Sequence, residues 1–345
     1  MAFTAPQRDY DIAEAWSNLI ESAYGTPLAF TDLDQRSYFN NPEAFRITKQ
    51  YETDGEKFGK GHDQATSYRD TARDLRLTRS GDLSTAIAGR LLALLNGDVA
   101  TVFDDPAWDH TFTPKDPADG LSAPTTTAWL KESEGVRGRA HSLALNSLTI
   151  TGSNQQAVQY TAEFIGSGEF TAGAHTSFPS LATELILRSG DVAVLTGAPA
   201  SAVAFGDRLL DWSVTFNNNL KDALGYFPGS GLYRGRIFLG RRTASITLNA
   251  FADDSSDLFD LFLDGTIQEL QINCAGDADN HCNIKFPSVR FNAGGEPRYE
   301  DGILVRPLVA SERDIFIGQA GATPSDQPWQ IVVRNAVVEY LATPA

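Results

Sequence analysis

Cys274, His281 and Cys282 bring two thiols and an imidazole within nine positions, the residue types that bind zinc. A structural zinc site needs a second ligand pair, and the sequence has no further cysteine to supply one. The two thiols are therefore expected to stay free in a reducing compartment. Asp277-Ala278-Asp279-Asn280 has the start of a calcium loop but lacks its glycine and its distal glutamate, so it reads as a turn. Asp253, Asp254, Asp257, Asp260 and Asp264 cluster tightly. A glycosidase needs two carboxylates facing one bond. This cluster instead has the spacing of a solvated helix face. His62, His110, His141, His175 and His281 are scattered, with no His-x-x-x-His pair. The glycines from Gly225 to Gly240 lack the Gly-Lys-Ser/Thr ending of a phosphate loop. Gly229-Ser230-Gly231 lacks the spacing of a nucleophile elbow. The reading is a protein that is not an enzyme, with no catalytic residue, cofactor or metal assigned.

Two long loops are more informative. Tyr51 to Ala72 holds Phe58 and Tyr68 among Gly55, Gly59 and Gly61. Asn217 to Arg234 holds Leu220, Leu224, Tyr226, Phe227 and Tyr233. A glycine-rich loop with exposed aromatics is an adhesive element. The alternative is a loop folded over its own core.

The elements that position these loops are mostly strands. Leu210 to Asn217 alternates large apolar and polar residues, as do Ala244 to Ala250 and Val158 to Phe164. Period two marks strands with one dry face and one wet face, which belong to antiparallel sheets. Three short helices are expected. One spans Asp11 to Tyr24, with Ile12, Ala15, Trp16, Leu19 and Ile20 on one stripe. One runs from Ser84 to Leu95, with Ser84 as N-cap and Gly97 near its end. One covers about Asp253 to Leu263.

The chain has 345 residues, 42% hydrophobic and 21% charged, enough for two cores. No stretch has the length of a membrane span. The polar start, with Asp9, Asp11 and Glu14, is expected to be neither signal nor transit peptide, which predicts folding in a cytoplasm. A formal net charge of -16 excludes a basic nucleic-acid grip. It is compatible with a wall that nucleic acid passes without sticking.

The order strand, strand, helix, hairpin, closing strand occurs twice. Leu75-Arg76-Leu77 precedes Leu91-Leu92-Ala93-Leu94-Leu95 just as Ile246-Thr247-Leu248 precedes Leu258 to Leu263. Glu184 to Arg188 closes one half and Gln330 to Arg334 the other. Repetition on this scale predicts a duplicated unit. The expected organisation is an N-terminal arm over 1–30, a first module over 31–196 and a second over 197–345. Phe103 to Thr127, rich in Asp, Pro, Gly and Thr, is expected as a loop insertion at about 103–127. The fold class is mostly β (α+β), with two tandem β-sandwich or barrel modules, each flanked by a short helix.

Trp212 to Leu220, the loop after it, the strand through Thr247 and the Leu-rich helix region together resemble the tail tube proteins of long, non-contractile-tailed bacteriophages. Thr71 to Gly97 is similar to the same module. The resemblance covers about two thirds of the chain. It implies six modules per ring, so a two-module chain forms a homotrimeric, pseudo-hexameric ring. It implies rings stacked into a tube through which DNA is ejected without specific binding. It implies tape measure, terminator and distal tail proteins as partners, a virion location after assembly in the host cytoplasm, and no membrane. Phe58, Tyr68, Leu220, Leu224, Tyr226, Phe227 and Tyr233 are then the expected contacts between rings. The alternative is a β-sandwich carbohydrate-binding or adhesin module, with Trp108, Trp129 or Trp329 stacking on sugars.

Overall fold

The computed structural model describes residues 13–17, 19–29, 46–53, 68–115, 122–133, 136–153, 156–172, 185–195, 202–204, 209–221, 223–251, 267–293, 298–300, 303–317 and 326–341. In chain order the strands are β1 (Ala13–Trp16), β2 (Arg46–Thr53), β3 (Tyr68–Asp82), β4 (Gly97–Asp104), β5 (Ala107–Pro114), β6 (Thr126–Ser133) and β7 (Val136–Ser153). Next come β8 (Gln159–Gly166), β9 (Phe170–Ala172), β10 (Arg188–Leu195), β11 (Ala202–Ala204), β12 (Leu209–Asn217) and β13 (Thr243–Phe251). The last are β14 (Gln268–Asp277), β15 (Asn280–Val289), β16 (Asn292–Ala293), β17 (Arg298–Glu300), β18 (Ile303–Ala310) and β19 (Gln330–Asn335). Among the described residues there is one α-helix, α1 (Thr85–Asn96). The protein is mostly β, as the alternating pattern predicts.

The strands form two antiparallel sheets. The larger has the order β16-β18-β13-β12-β7-β8-β3-β2, with β17 beside β18. The first part of β7 runs beyond this path and carries β6 and β9, and β6 in turn carries β1. The second sheet has the order β11-β10-β14-β15-β19-β5-β4. Strands from both halves of the chain share both sheets.

Alternation decides which face is dry. On β12, Trp212, Val214 and Phe216 are buried, and on β13 Ala244, Ile246, Leu248 and Ala250 are. These side chains meet the second sheet. Phe216 stacks on Phe286 of β15 at 6.0 Å between ring centres, and the Trp212 indole donates to Ser189 Oγ of β10 at 2.9 Å. Ser213, Thr215, Ser245 and Thr247 point to the opposite, wetter face.

Helix α1 has the caps its sequence predicts. Ser84 Oγ accepts from the Ile87 amide at 3.2 Å, and Gly97 takes the left-handed conformation at φ 73. Leu91 to Leu95 are all buried, because the helix packs between β7 of one sheet and β4, β5, β15 and β19 of the other. The helix expected over about Asp253 to Leu263 lies outside the described residues.

Two expectations need correction. The described residues between Asp11 and Tyr24 are not helical: Ala13–Trp16 forms β1 against β6. Trp16 packs on Phe164 at 4.8 Å, and Glu14 is buried in an ion pair with Arg79 at 3.0 Å. A short apolar stripe fits either period, and long-range pairing chose the strand. The region from Phe103 to Thr127 is not a loop throughout: Ala107–Pro114 is β5, pairing with β4 and β19. Its alternation of buried His110, Phe112 and Pro114 was obscured by neighbouring turn residues.

Candidate assembly surface

The loop from β12 to β13 does not stand free. Its first turn is bonded to β7: the Asn218 amide donates to Asn146 O at 2.7 Å, and the Asn218 side chain to Leu145 O at 2.8 Å. Leu220 is buried in a small apolar cluster with Ala123, Ala144, Ile165 and Ile237. The loop then crosses to the end of β8 and the first half of β3. The Arg73 amide donates to Leu232 O at 2.8 Å, and the Arg234 amide to Ser167 O at 2.9 Å. The Tyr226 hydroxyl donates to Arg73 O at 2.7 Å. The Arg234 guanidinium donates to Asp74 Oδ1 at 2.7 Å and to Gly166 O, and lies over the Tyr226 ring at 5.0 Å. Arg73 covers the Tyr233 ring at 5.6 Å. A Cβ on Gly225 would stand 2.0 Å from Arg236 O, so glycine alone permits this close return of the chain.

The electrostatics of the tie follow from its partners. Partial burial opposes ionisation of Asp74, but hydrogen bonds from Arg234 and Arg76 outweigh it and hold the carboxyl below its ordinary pKa.

The expected contact residues therefore divide. Leu220, Tyr226 and Tyr233 hold the loop to its own chain. Leu224 and Phe227 point outward, 65% and 43% exposed. Tyr68 opens β3 opposite Thr53. Phe58 lies outside the described residues. Arg234, Arg73 and Asp74 carry no motif. Their one sequence signal is cationic residues set among aromatics, which the aromatic reading passed over.

Two further arrangements have the residue types of chemistry. Ser142 Oγ lies 3.1 Å from His141 Nδ1, and His141 Nε2 lies 3.1 Å from Glu169 Oε2. Ser142 is fully buried and its hydroxyl donates to Glu21 at 2.9 Å, so it faces no substrate. Ser142 has φ 55 and marks the point where β7 passes between its two sets of neighbours. Glu21 also accepts from Thr125, Thr127 and the Ser142 amide, which fixes the segment after β1. Burial nevertheless pushes the Glu21 carboxyl above its ordinary pKa against those hydrogen bonds. Cys274 and Cys282 are free, buried and directly opposite across β14 and β15. Burial raises both thiols, Cys282 to about 12. Trp129 and Trp329 are buried in the core and offer no sugar platform. Among the described residues no helix is long and apolar enough to cross a membrane.

The larger sheet also repeats in its order. β16-β18-β13-β12 of the second half corresponds strand for strand to β7-β8-β3-β2 of the first. Aligning Ile246 with Leu75 puts their β12 and β2 partners, Val214 and Ile47, together. It also aligns their β18 and β8 partners, Ala310 and Gly166. The halves are joined by β12 against β7. The sheet ends at β2 and at β16, the counterparts of those two joined strands. No curated protein matches this sequence. The model of one family does, over residues 20–314, and the chain belongs to that family, the phage tail tube proteins.

Proposed function

We propose that the chain is a virion structural protein whose copies join edge to edge into rings that stack as the phage tail tube. The sheet order carries this reading. β12 of one half already pairs antiparallel with β7 of the other. β2 and β16 are their counterparts and run in the same opposed sense, so β2 of one copy meets β16 of the next by the same geometry. Each copy holds two modules, over about 31–196 and 197–345, and three copies close a pseudo-hexameric ring.

Geometry supports three. Eight strands per copy make a 24-stranded barrel, about 48 Å across between backbones at ~4.8 Å strand spacing and ~40° tilt. The seven-stranded sheets cannot fit inside it alongside a double helix, so they lie outside. The wall is then the wet face bearing Ser147, Thr149, Ser213, Thr215, Ser245 and Thr247. Short hydroxyls dominate this face, the exposed cation on it from β3, Arg76, is paired with Asp74 at 2.9 Å, and the overall charge of -16 repels phosphate.

Leu224 and Phe227 face the adjoining ring, with Tyr68, at the start of β3, in the first half. Tape measure, terminator and distal tail proteins cap or fill the tube, which is assembled in the host cytoplasm. Negative-stain microscopy with native mass spectrometry tests the reading. Trimeric rings or tubes are expected. A monodisperse monomer at high concentration would overturn it.

A further inference from the structure

The loop after β12 crosses the neighbouring half and docks on the start of β3 and the end of β8, at Asp74 and Gly166. Its counterpart is the segment after β2, residues 54–67. The half that would neighbour β2 belongs to the next copy. In the alignment of the halves, Asp74 corresponds to Ser245 and Gly166 to Ala310. A cleft of about 550 Å³ opens beside those positions, lined by Leu239 to Ala244, by Glu312, Ile315 and Ile317, and by Trp329.

The cleft offers a wall for an apolar side chain. Leu239, Ile315, Ile317 and Trp329 make an apolar wall, and Ile317 is 59% exposed. Arg242, at the edge of the cleft, is held by its own chain: its Nη1 donates to Lys115 O at 2.7 Å and its Nε to Asn218 Oδ1 at 3.1 Å.

We propose that this cleft receives residues 54–67 of a second copy, with Phe58 against the apolar wall. The proposal rests on the edge-to-edge ring. The contact would do between copies what the Arg234 tie does within one.

The test uses two full-length forms carrying different tags, one with Phe58→Cys and one with Ile317→Cys, co-expressed and treated with a short bismaleimide. The native thiols are buried. A covalent dimer containing both tags is expected from assembled rings. Ile317→Asp is expected to lower trimer association about tenfold or more while leaving thermal unfolding of the monomer unchanged. Hydrogen exchange on wild-type protein is the independent measurement: rings should protect Leu239–Ala244 and Ser311–Ile317 relative to monomer. Wild-type rings without that protection would overturn the docking and leave the edge-to-edge ring standing. Wild-type protein that forms no ring would overturn both.

Discussion

Arg234, near the end of the β12–β13 loop, donates to the Asp74 carboxylate of β3 at 2.7 Å and so bonds the second half of the chain to the first. The Arg234 side chain is almost fully buried. Removing one partner of such a pair leaves the other poorly compensated. Arg234→Ala should therefore cost about 2–4 kcal/mol in urea unfolding. Arg234→Lys should be intermediate, because it keeps the charge but loses the planar fork that reaches both Asp74 and Gly166 O.

The same pair sets an acid response. Asp74 and Asp314 both titrate below the ordinary carboxylate range when folded. Burial opposes this in each, and hydrogen bonds overcome it, from Arg234 and Arg76 in one and from Ser311 and Arg290 in the other. A depressed folded pKa gives stability that is present above the unfolded value, about 3.9, and lost as pH falls through the folded one. Unfolding midpoints should drop below about pH 4, and less steeply in Asp74→Asn.

Gly89 of α1 faces the ring of Tyr340, where a Cβ would stand 2.1 Å from Cζ. The ring cannot swing away freely, since its hydroxyl accepts from Asn335 at 2.6 Å and its edge meets His110 at 4.7 Å. Gly89→Ala should destabilise by about 1–3 kcal/mol by calorimetry, despite the better helix propensity of alanine.

Cys274 and Cys282 should not react with Ellman's reagent at pH 8 in the native protein. Both thiols are buried, and burial holds them protonated. Two thiols should appear on unfolding. Rapid native labelling would show that β14 and β15 open readily.

Leu224 and Phe227 project from a loop whose other aromatics are tied down. Leu224→Asp with Phe227→Ser should leave folding and rings intact and abolish stacking in micrographs. Unchanged tubes would move the joint elsewhere.

Ring association should strengthen as salt rises from 10 to about 300 mM, because copies of net charge -16 repel one another less when screened. Sedimentation velocity reads this directly. Weakening with salt would mean that ion pairs across the joint outweigh the repulsion.

Elements governed by local chemistry were legible in the residues themselves. The alternation from Leu210 to Asn217 is β12, because period two leaves one face dry. Ser84 and Gly97 bound α1, because capping acts within one turn. The family match over residues 20–314 agrees with the resemblance drawn from these segments. What depended on distant partners was not legible. Ala13–Trp16 became a strand because β6 and Arg79 were there to meet it. Leu220, Tyr226 and Tyr233 look alike in sequence to Leu224 and Phe227. Only the positions of Asn146, Arg73 and Asp74, contributed by strands some seventy or more residues away, turned the first three inward. The head-to-tail order of the larger sheet is of the same kind. Strand pattern specifies a dry face, but which edges meet is set by how the two halves pack over one core.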